Sequence, residues 1–163
     1  EEAFLIGDGT GKPTGIFQTV TEGATSGGAT ITFDDVMDLY HSLKSPYRKN
    51  AVWILNDSTV KALRKLKYNN GNYISQPSVQ PGVPDMILNR PYFTSSFVPT
   101  IDTGKKVLAF GDFSYYWIAD RQGRSFKRLN ELYAESGQVG FLASQRVDGK
   151  LILNEAVKVL TMK

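Results

Sequence analysis

The residues with the clearest chemical potential lie near the start of the chain. In Gly7-Asp8-Gly9-Thr10-Gly11-Lys12-Pro13, glycines beside a lysine resemble a loop that cradles phosphate. The spacing fails for that chemistry. A P-loop places a glycine five positions before its Gly-Lys pair and a Ser or Thr after the lysine; this chain has Ile6 and Pro13 there. Thr14 also stands where a dinucleotide fingerprint begun at Gly9 requires its third glycine. Gly7, Asp8, Gly9, Gly11 and Gly15 therefore read as a tight structural turn. A phosphate- or nucleotide-binding enzyme built on the Gly7–Gly15 loop remains the alternative from a different functional class. Nucleotide with Mg²⁺ raising the melting temperature would support it, because a ligand that binds only the native state stabilises it.

Other chemically able groups have plainer readings. Asp34, Asp35 and Asp38 have the composition of a metal site or an acid/base pair, yet they fall in the first two turns of an expected helix, where carboxylates complement the dipole. No serine stands in a Gly-x-Ser-x-Gly elbow, and His41 is the only histidine, so a hydrolase triad has no support. His41 reads as a surface or semi-buried packing residue. Phe113, Tyr115, Tyr116 and Trp117 near Arg121 and Arg124 have the composition of a base-stacking surface, but aromatic strands usually build cores, and the core reading is preferred. Without cysteine there is no disulfide, thiolate metal site or Cys–His pair. The sequence calls for no cofactor and offers no catalytic site.

Composition sets the frame for those residues. The 163 residues are 41% hydrophobic and 21% charged, which suits one compact domain with a real core, or one domain plus a small appendage. The net charge of +3 permits weak attraction to polyanions without specifying it. No apolar run approaches the ~18 residues of a membrane helix and no signal-like segment opens the chain, so it reads as soluble and unexported. The chain opens on Glu1-Glu2-Ala3-Phe4 with no initiator Met, which suggests a trimmed piece of something longer.

The elements follow from periodicity. Residues 7–15 and 22–30 read as Gly-rich connectors without regular structure. Thr32 and Asp35 fit a capping box, and Val36, Leu39, Tyr40 and Leu43 recur at helical spacing until Ser45-Pro46. Ala51 to Leu55 is a short apolar run suited to a buried strand. Asn56 or Asp57 caps a second helix with Val60, Leu63 and Leu66 inward, and Lys61, Arg64, Lys65 and Lys67 outward. Three prolines and a glycine in residues 76–84 predict a surface loop. The remainder is β-rich: 86–95, 106–110, 115–120, 125–129, 139–147 and 151–160. Asp148-Gly149 predicts a type I′ hairpin, and alternation of Val139, Phe141, Ala143 and Val147 predicts a half-buried strand. Helices early and strands late give an α+β fold, a mixed sheet flanked by helices.

Four segments in this order resemble the major capsid protein family of tailed bacteriophages, whose shared architecture is the Hong Kong 97 fold. They are residues 2–16 (EAFLIGDGTGKPTGI); Trp53-Ile54-Leu55-Asn56 through Leu63-Arg64-Lys65-Leu66-Lys67 with Asn70-Gly71-Asn72-Tyr73; Phe110-Gly111-Asp112-Phe113-Ser114; and Val139-Gly140-Phe141 through Arg146-Val147 with residues 155–160 (EAVKVL). Each string is weak alone, and their order over nearly the whole chain makes the resemblance specific. In that family the GDGTGKPTG turn follows a spine helix, an extended arm and a β-hairpin loop. The resemblance therefore implies a C-terminal portion lacking those parts. It implies an axial domain over 13–120 and 148–163, and a β-rich peripheral-domain remnant over 1–12 and 121–147.

The implied role is structural: a major capsid subunit of a tailed phage or prophage that self-assembles into pentameric and hexameric capsomers of an icosahedral head enclosing DNA. An encapsulin-like shell is the related alternative. The implied location is the virion capsid, and the bacterial host cytoplasm during assembly. By position, the family's axial contact loop corresponds to Tyr73, Gln76, Pro77, Val79, Gln80, Pro81, Val83 and Pro84, whose prolines lower the ordering cost on association. Arg121, Arg124, Lys127, Arg128, Glu131, Glu135 and Arg146 fall in the peripheral remnant; intersubunit ion pairs and plain solvation of strand faces are both open readings. Some relatives cross-link subunits through an Asn with a helper Glu. This chain has Ser136-Gly137-Gln138 and Ser144 in the corresponding stretch, so that chemistry is not carried over. The expected partner is a further copy of itself, with weak non-specific contact to packaged DNA and no membrane. The isolated piece is expected to be a monomer or weak oligomer.

Overall fold

The computed structural model describes residues 1–67 and 86–163. The chain begins with two short helices, α1 (Glu2–Ile6) and α2 (Ile16–Thr19), followed by strand β1 (Glu22–Thr25). Helices α3 (Phe33–Ser42) and α4 (Ser45–Arg48), strand β2 (Val52–Leu55) and helix α5 (Asp57–Arg64) come next. The C-terminal half carries β3 (Met86–Ile87), β4 (Arg90–Thr94), β5 (Lys106–Gly111), β6 (Tyr116–Leu129), β7 (Gly140–Leu151) and β8 (Val157–Thr161). Six strands form one mixed sheet in the order β1-β8-β5-β2-β4-β3, while β6 and β7 form a separate antiparallel ribbon.

Local chemistry accounts for the helices. Thr32 and Asp35 close a reciprocal capping box: Thr32 Oγ1 accepts from Asp35 N at 3.2 Å, and Asp35 Oδ2 accepts from Thr32 N at 2.7 Å. The Asp35 carboxylate is buried and also accepts from Gly27 N at 3.3 Å, which ties the 26–30 segment to the helix. Asp34 and Asp38 stay exposed on the same helix. Asn56 caps α5, its Oδ1 accepting from Ser58 N at 3.0 Å, while its Nδ2 donates to the Val98 carbonyl at 2.9 Å.

Strand alternation places a core on each face of the sheet. Trp53, Leu55, Leu108, Phe110 and Leu160 face α3 and α5, meeting Val36, Leu39, Val60 and Leu63. Ala109, Val157 and Val159 face the other way, against Leu5 of α1 and Ile16 and Phe17 of α2. The center of the first core is Trp53, fully buried, stacked on Phe110 with ring centroids 4.0 Å apart and donating Nε1–H to the Ile87 carbonyl at 2.9 Å.

Among the described residues, one buried side-chain group lacks a partner. Thr59 Oγ1 in α5 makes no hydrogen bond although the residue is completely buried. Thr59→Val keeps the shape and removes a dehydrated hydroxyl, so stability is expected to rise by about 1 kcal/mol. Urea unfolding checks this; a loss of stability would show that the hydroxyl is satisfied.

The structure corrects several expectations. Residues 22–30 are not all connector: β1 pairs in parallel with β8, Ala24 opposite Leu160, because the edge of the sheet has backbone groups to satisfy. The 86–95 run is two strands joined at Leu88-Asn89, both at positive φ (49° and 58°), the geometry of a tight primed hairpin turn. The runs 115–120 and 125–129 are one strand, since Gln122-Gly123 forms a bulge between Arg121 and Ser125 and not a chain reversal. The 151–160 run is broken by a 3-10 turn at Asn154–Ala156.

Asp148-Gly149 is not a hairpin turn. It lies inside β7, opposite Ala119 and Ile118 of β6. Gly149 is required there by close packing: a Cβ would stand 2.7 Å from Tyr116 Oη and 2.9 Å from the Phe4 ring. The half-buried reading of 139–147 also fails, since Val139, Phe141 and Leu142 are exposed. The core reading of the aromatics holds in part: Phe113, Tyr115 and Tyr116 pack against the second core, whereas Trp117 is 65% exposed.

Candidate functional site

Residues 7–15 form a compact turn. Asp8 and Thr14 bridge its two arms, Gly9 and Gly11 take positive φ (80° and 67°), and Gly15 N donates to the Gly7 carbonyl at 2.8 Å. The Asp8 carboxylate accepts from Thr10 N at 2.9 Å and pairs with Lys12 at 3.5 Å. These contacts, the Thr10 bond first, hold the exposed Asp8 carboxyl below its ordinary range. The turn also grips the base of the ribbon: Thr14 N donates to the Gly149 carbonyl at 2.9 Å, and Tyr116 Oη donates to the Thr14 carbonyl at 2.9 Å. Phe4 meets Tyr116 edge-on at 6.2 Å. A Gly-rich loop of this kind is a clamp.

What the clamp holds is the β6–β7 ribbon, which at ~3.3 Å per residue runs about 40 Å. Residues opposite one another share a face, so the register sorts its side chains. On one face lie Tyr116, Ile118, Asp120, Phe126 and Arg128 with Leu151, Val147, Gln145, Ala143 and Phe141. On the other lie Trp117, Arg121, Ser125 and Lys127 with Lys150, Asp148, Arg146, Ser144 and Leu142. Hydrogen bonds agree with this division: Gln145 Nε2 donates to Asp120 Oδ2 at 3.0 Å on the first face, and Ser125 Oγ meets Ser144 Oγ at 2.6 Å on the second.

The first face is mostly apolar and grows out of the second core, where Leu151 is buried and Tyr116 half-buried. Farther out the cover ends: Ile118 is 60%, Phe126 76% and Phe141 75% exposed. Those three side chains leave on the order of 400 Å² of apolar surface open, a size at which a patch on a monomer is commonly functional. The second face is cationic. Among the sequence-selected charges, Arg121, Lys127 and Arg146 lie on it, Arg128 lies on the apolar face, and Arg124 sits in the bulge, its Nε donating to Gln145 at 3.2 Å. Glu131 and Glu135 lie near the ribbon tip and are exposed. The sequence reading missed Ile118, Phe126 and Phe141 as surface residues; their alternation was legible, but nothing in it marked the face as uncovered. Tyr73, Gln76, Pro77, Val79, Gln80, Pro81, Val83 and Pro84 lie outside the described residues.

Away from the ribbon, Glu155 ties α4 to the 3-10 turn before β8. It pairs with Lys44 and accepts from Tyr47 Oη at 2.7 Å. The Lys44 bond and then the Tyr47 bond hold Glu155 below its ordinary carboxyl value; donation to Glu155 pushes the Tyr47 hydroxyl up to about 12. The lowered Glu155 supports folding above the ordinary carboxyl range, and that support is lost as pH falls through its depressed value. The raised Tyr47 supports folding below its ordinary value of 10.0, and that support is lost as pH rises toward about 12. In a tyrosinate absorbance titration, Glu155→Gln is expected to lower the pH at which Tyr47 ionises; an unchanged curve would contradict the contact.

The phage capsid family matches residues 1–162. This chain belongs to the phage capsid family. It superposes on the capsid of an empty GTA particle, computed with C5 symmetry, with a TM-score of 0.85 and 31% identity, covering 99% of this chain and 60% of that one. It thus spans about 60% of that capsid chain's length. The structure of Gordonia phage Cozz gives a TM-score of 0.65 at 12% identity, covering 100% of this chain and 56% of that one. The holo-SrpI encapsulin complex from Synechococcus elongatus gives 0.63 at 16% identity, covering 91% and 56%. No curated protein matches. The fold is of the Hong Kong 97 capsid type. The family is structural and not enzymatic.

Proposed function

We propose that this chain is the subunit portion of a major capsid protein whose copies assemble into pentameric and hexameric capsomers of an icosahedral, DNA-enclosing head. The observation that carries this reading is the apolar ribbon face, continuous with the core at its base and uncovered at Ile118, Phe126 and Phe141. The rest of the complete subunit, beyond the 60% that this chain spans in its capsid match, or a neighbouring copy, removes this apolar surface from water by covering it. In the same reading the axial domain comprises 13–120 and 148–163, the peripheral part comprises 1–12 and 121–147, and the loop from Tyr73 to Pro84 meets its counterparts at the capsomer center. Glu131 and Glu135 at the tip, with Arg124 and Arg128, supply intersubunit charges. The product resides in the virion capsid, and in the host cytoplasm while shells form; the isolated chain is a monomer or weak oligomer.

Electron microscopy of the complete gene product that carries this chain tests the reading. Closed shells with five- and six-fold capsomers are expected; soluble monomer or amorphous aggregate under assembly conditions would overturn it. The encapsulin complex shares the fold. Nuclease-protected DNA inside purified particles favours the phage-head reading, and protein cargo favours the encapsulin-like one.

A further inference from the structure

The ribbon is fixed to the body at its base, through Thr14, Gly149 and Tyr116, and interrupted part-way along its length. Pairing stops at Arg121 opposite Arg146 and resumes at Ser125 opposite Ser144, so three residues of β6 face the single Gln145 of β7. The two extra residues leave every later side chain on its face, because the side-chain period of a strand is two. Gly123 takes φ 64°, and a Cβ there would meet nothing within 4 Å, so this glycine serves the backbone and not packing.

Nothing buried stiffens the interruption among the described residues: Arg121, Arg124 and Ser125 are exposed, as are Ser144, Gln145 and Arg146 across from them. On one face the Gln145 amide links its two sides, accepting from Arg124 Nε at 3.2 Å and donating to Asp120 Oδ2 at 3.0 Å. Those bonds lie in solvent and hold it weakly. On the other face Arg121 and Arg146 stand directly opposite as like charges, which weakens pairing at the same place. A segment with a left-handed glycine, a repulsive cross-strand pair and no buried apolar contact is where a two-stranded ribbon yields first.

We propose that residues 121–125 and 144–146 form a joint, about which the outer half of the ribbon (125–129 with 140–144) swings against an inner half fixed to the body. The inference rests on the reading that one chain fills both five- and six-subunit rings, and it names the element that takes up the difference. Neighbours in the two rings differ by about 12° in rotation, which carries the end of an outer half of ~17 Å by about 3–4 Å. Close-packed surfaces do not absorb a mismatch of that size, whereas a joint does.

The chain has no cysteine, so paired spin labels can be introduced without background. Lys61→Cys on α5 is combined with Lys150→Cys in the inner half or with Lys127→Cys in the outer half, and each distance distribution is read by double electron–electron resonance. The outer pair should give a distribution broader than the inner pair by several ångströms. Removing Gln122 and Gly123 sets Arg124 opposite Gln145, restores an uninterrupted ladder and should narrow the outer distribution to the inner width. Arg146→Glu keeps the chain length, places opposite charges across the strands and should narrow it in part. Equal widths in the parent, or an outer width unchanged in both variants, would show a fixed kink and overturn the inference. In the complete gene product, the two-residue deletion should prevent closed shells. Normal shells from that variant would defeat the joint alone; a parent that shows the broad outer distribution yet forms no shells would defeat the capsid reading alone.

Discussion

Trp53→Ala is expected to lower the unfolding free energy by about 3–5 kcal/mol, a large loss for one side chain of this fold. Trp53 sits on β2, between β5 and β4, with no exposed surface, and its ring stacks on Phe110 at 4.0 Å. Truncation removes the transfer energy of the indole and leaves a cavity between the sheet and the helices α3 and α5, which relax only in part. It also strips the Ile87 carbonyl of the Nε1–H donor that pins β3. For a chain of this length, such a loss corresponds to a drop in melting temperature on the order of 10 °C. Thermal and urea unfolding followed by far-UV circular dichroism read it directly. Trp53→Phe should lose less, since it keeps a ring on Phe110 and gives up chiefly the hydrogen bond. A loss below about 1 kcal/mol for the alanine variant would mean that the core closes without the stack.

The second large effect belongs to assembly and not to folding. Phe126→Asp with Phe141→Asp places two carboxylates on the apolar ribbon face, where the native side chains are 76% and 75% exposed. The folded body scarcely registers such a change, because neither side chain belongs to either core. An interface that buries this face must instead accommodate two dehydrated charges, at a cost of several kcal/mol for each copy. This chain with the substitutions should keep a melting temperature within a few degrees of the parent, and the complete gene product that carries them should yield no closed shells in micrographs. Normal shells would show that the face stays in solvent, and the capsid contact would have to be sought elsewhere. A melting temperature far below the parent's would show that the ribbon supports the body. Substituting Ser125 and Ser144 on the opposite face provides a neutral comparison.

Much of the body was legible because local chemistry and burial agree there. The capping box at Thr32 and Asp35, the Asn56 cap and the AVWIL run each combine a local signal with a pattern that needs only one covering layer. Where a glycine served packing instead of a turn, the local signal misled: Asp148-Gly149 carries a hairpin signature, yet Phe4 and Tyr116, distant in sequence, occupy the space a Cβ would need. The ribbon divides the same way. Phe141, Ala143 and Val147 share one face, as their spacing required, but whether a face of alternating apolar residues meets a core or stands open depends on what the rest of the chain brings against it. The sequence by itself therefore determined α3, β2 and α5 with their caps, the α+β class and, through four ordered segments, the family. Only the tertiary structure decided that the ribbon leaves the body with one apolar and one cationic face, because cross-strand register sorts the side chains and the clamp at Thr14 that holds the ribbon arises from contacts more than 100 residues apart along the chain.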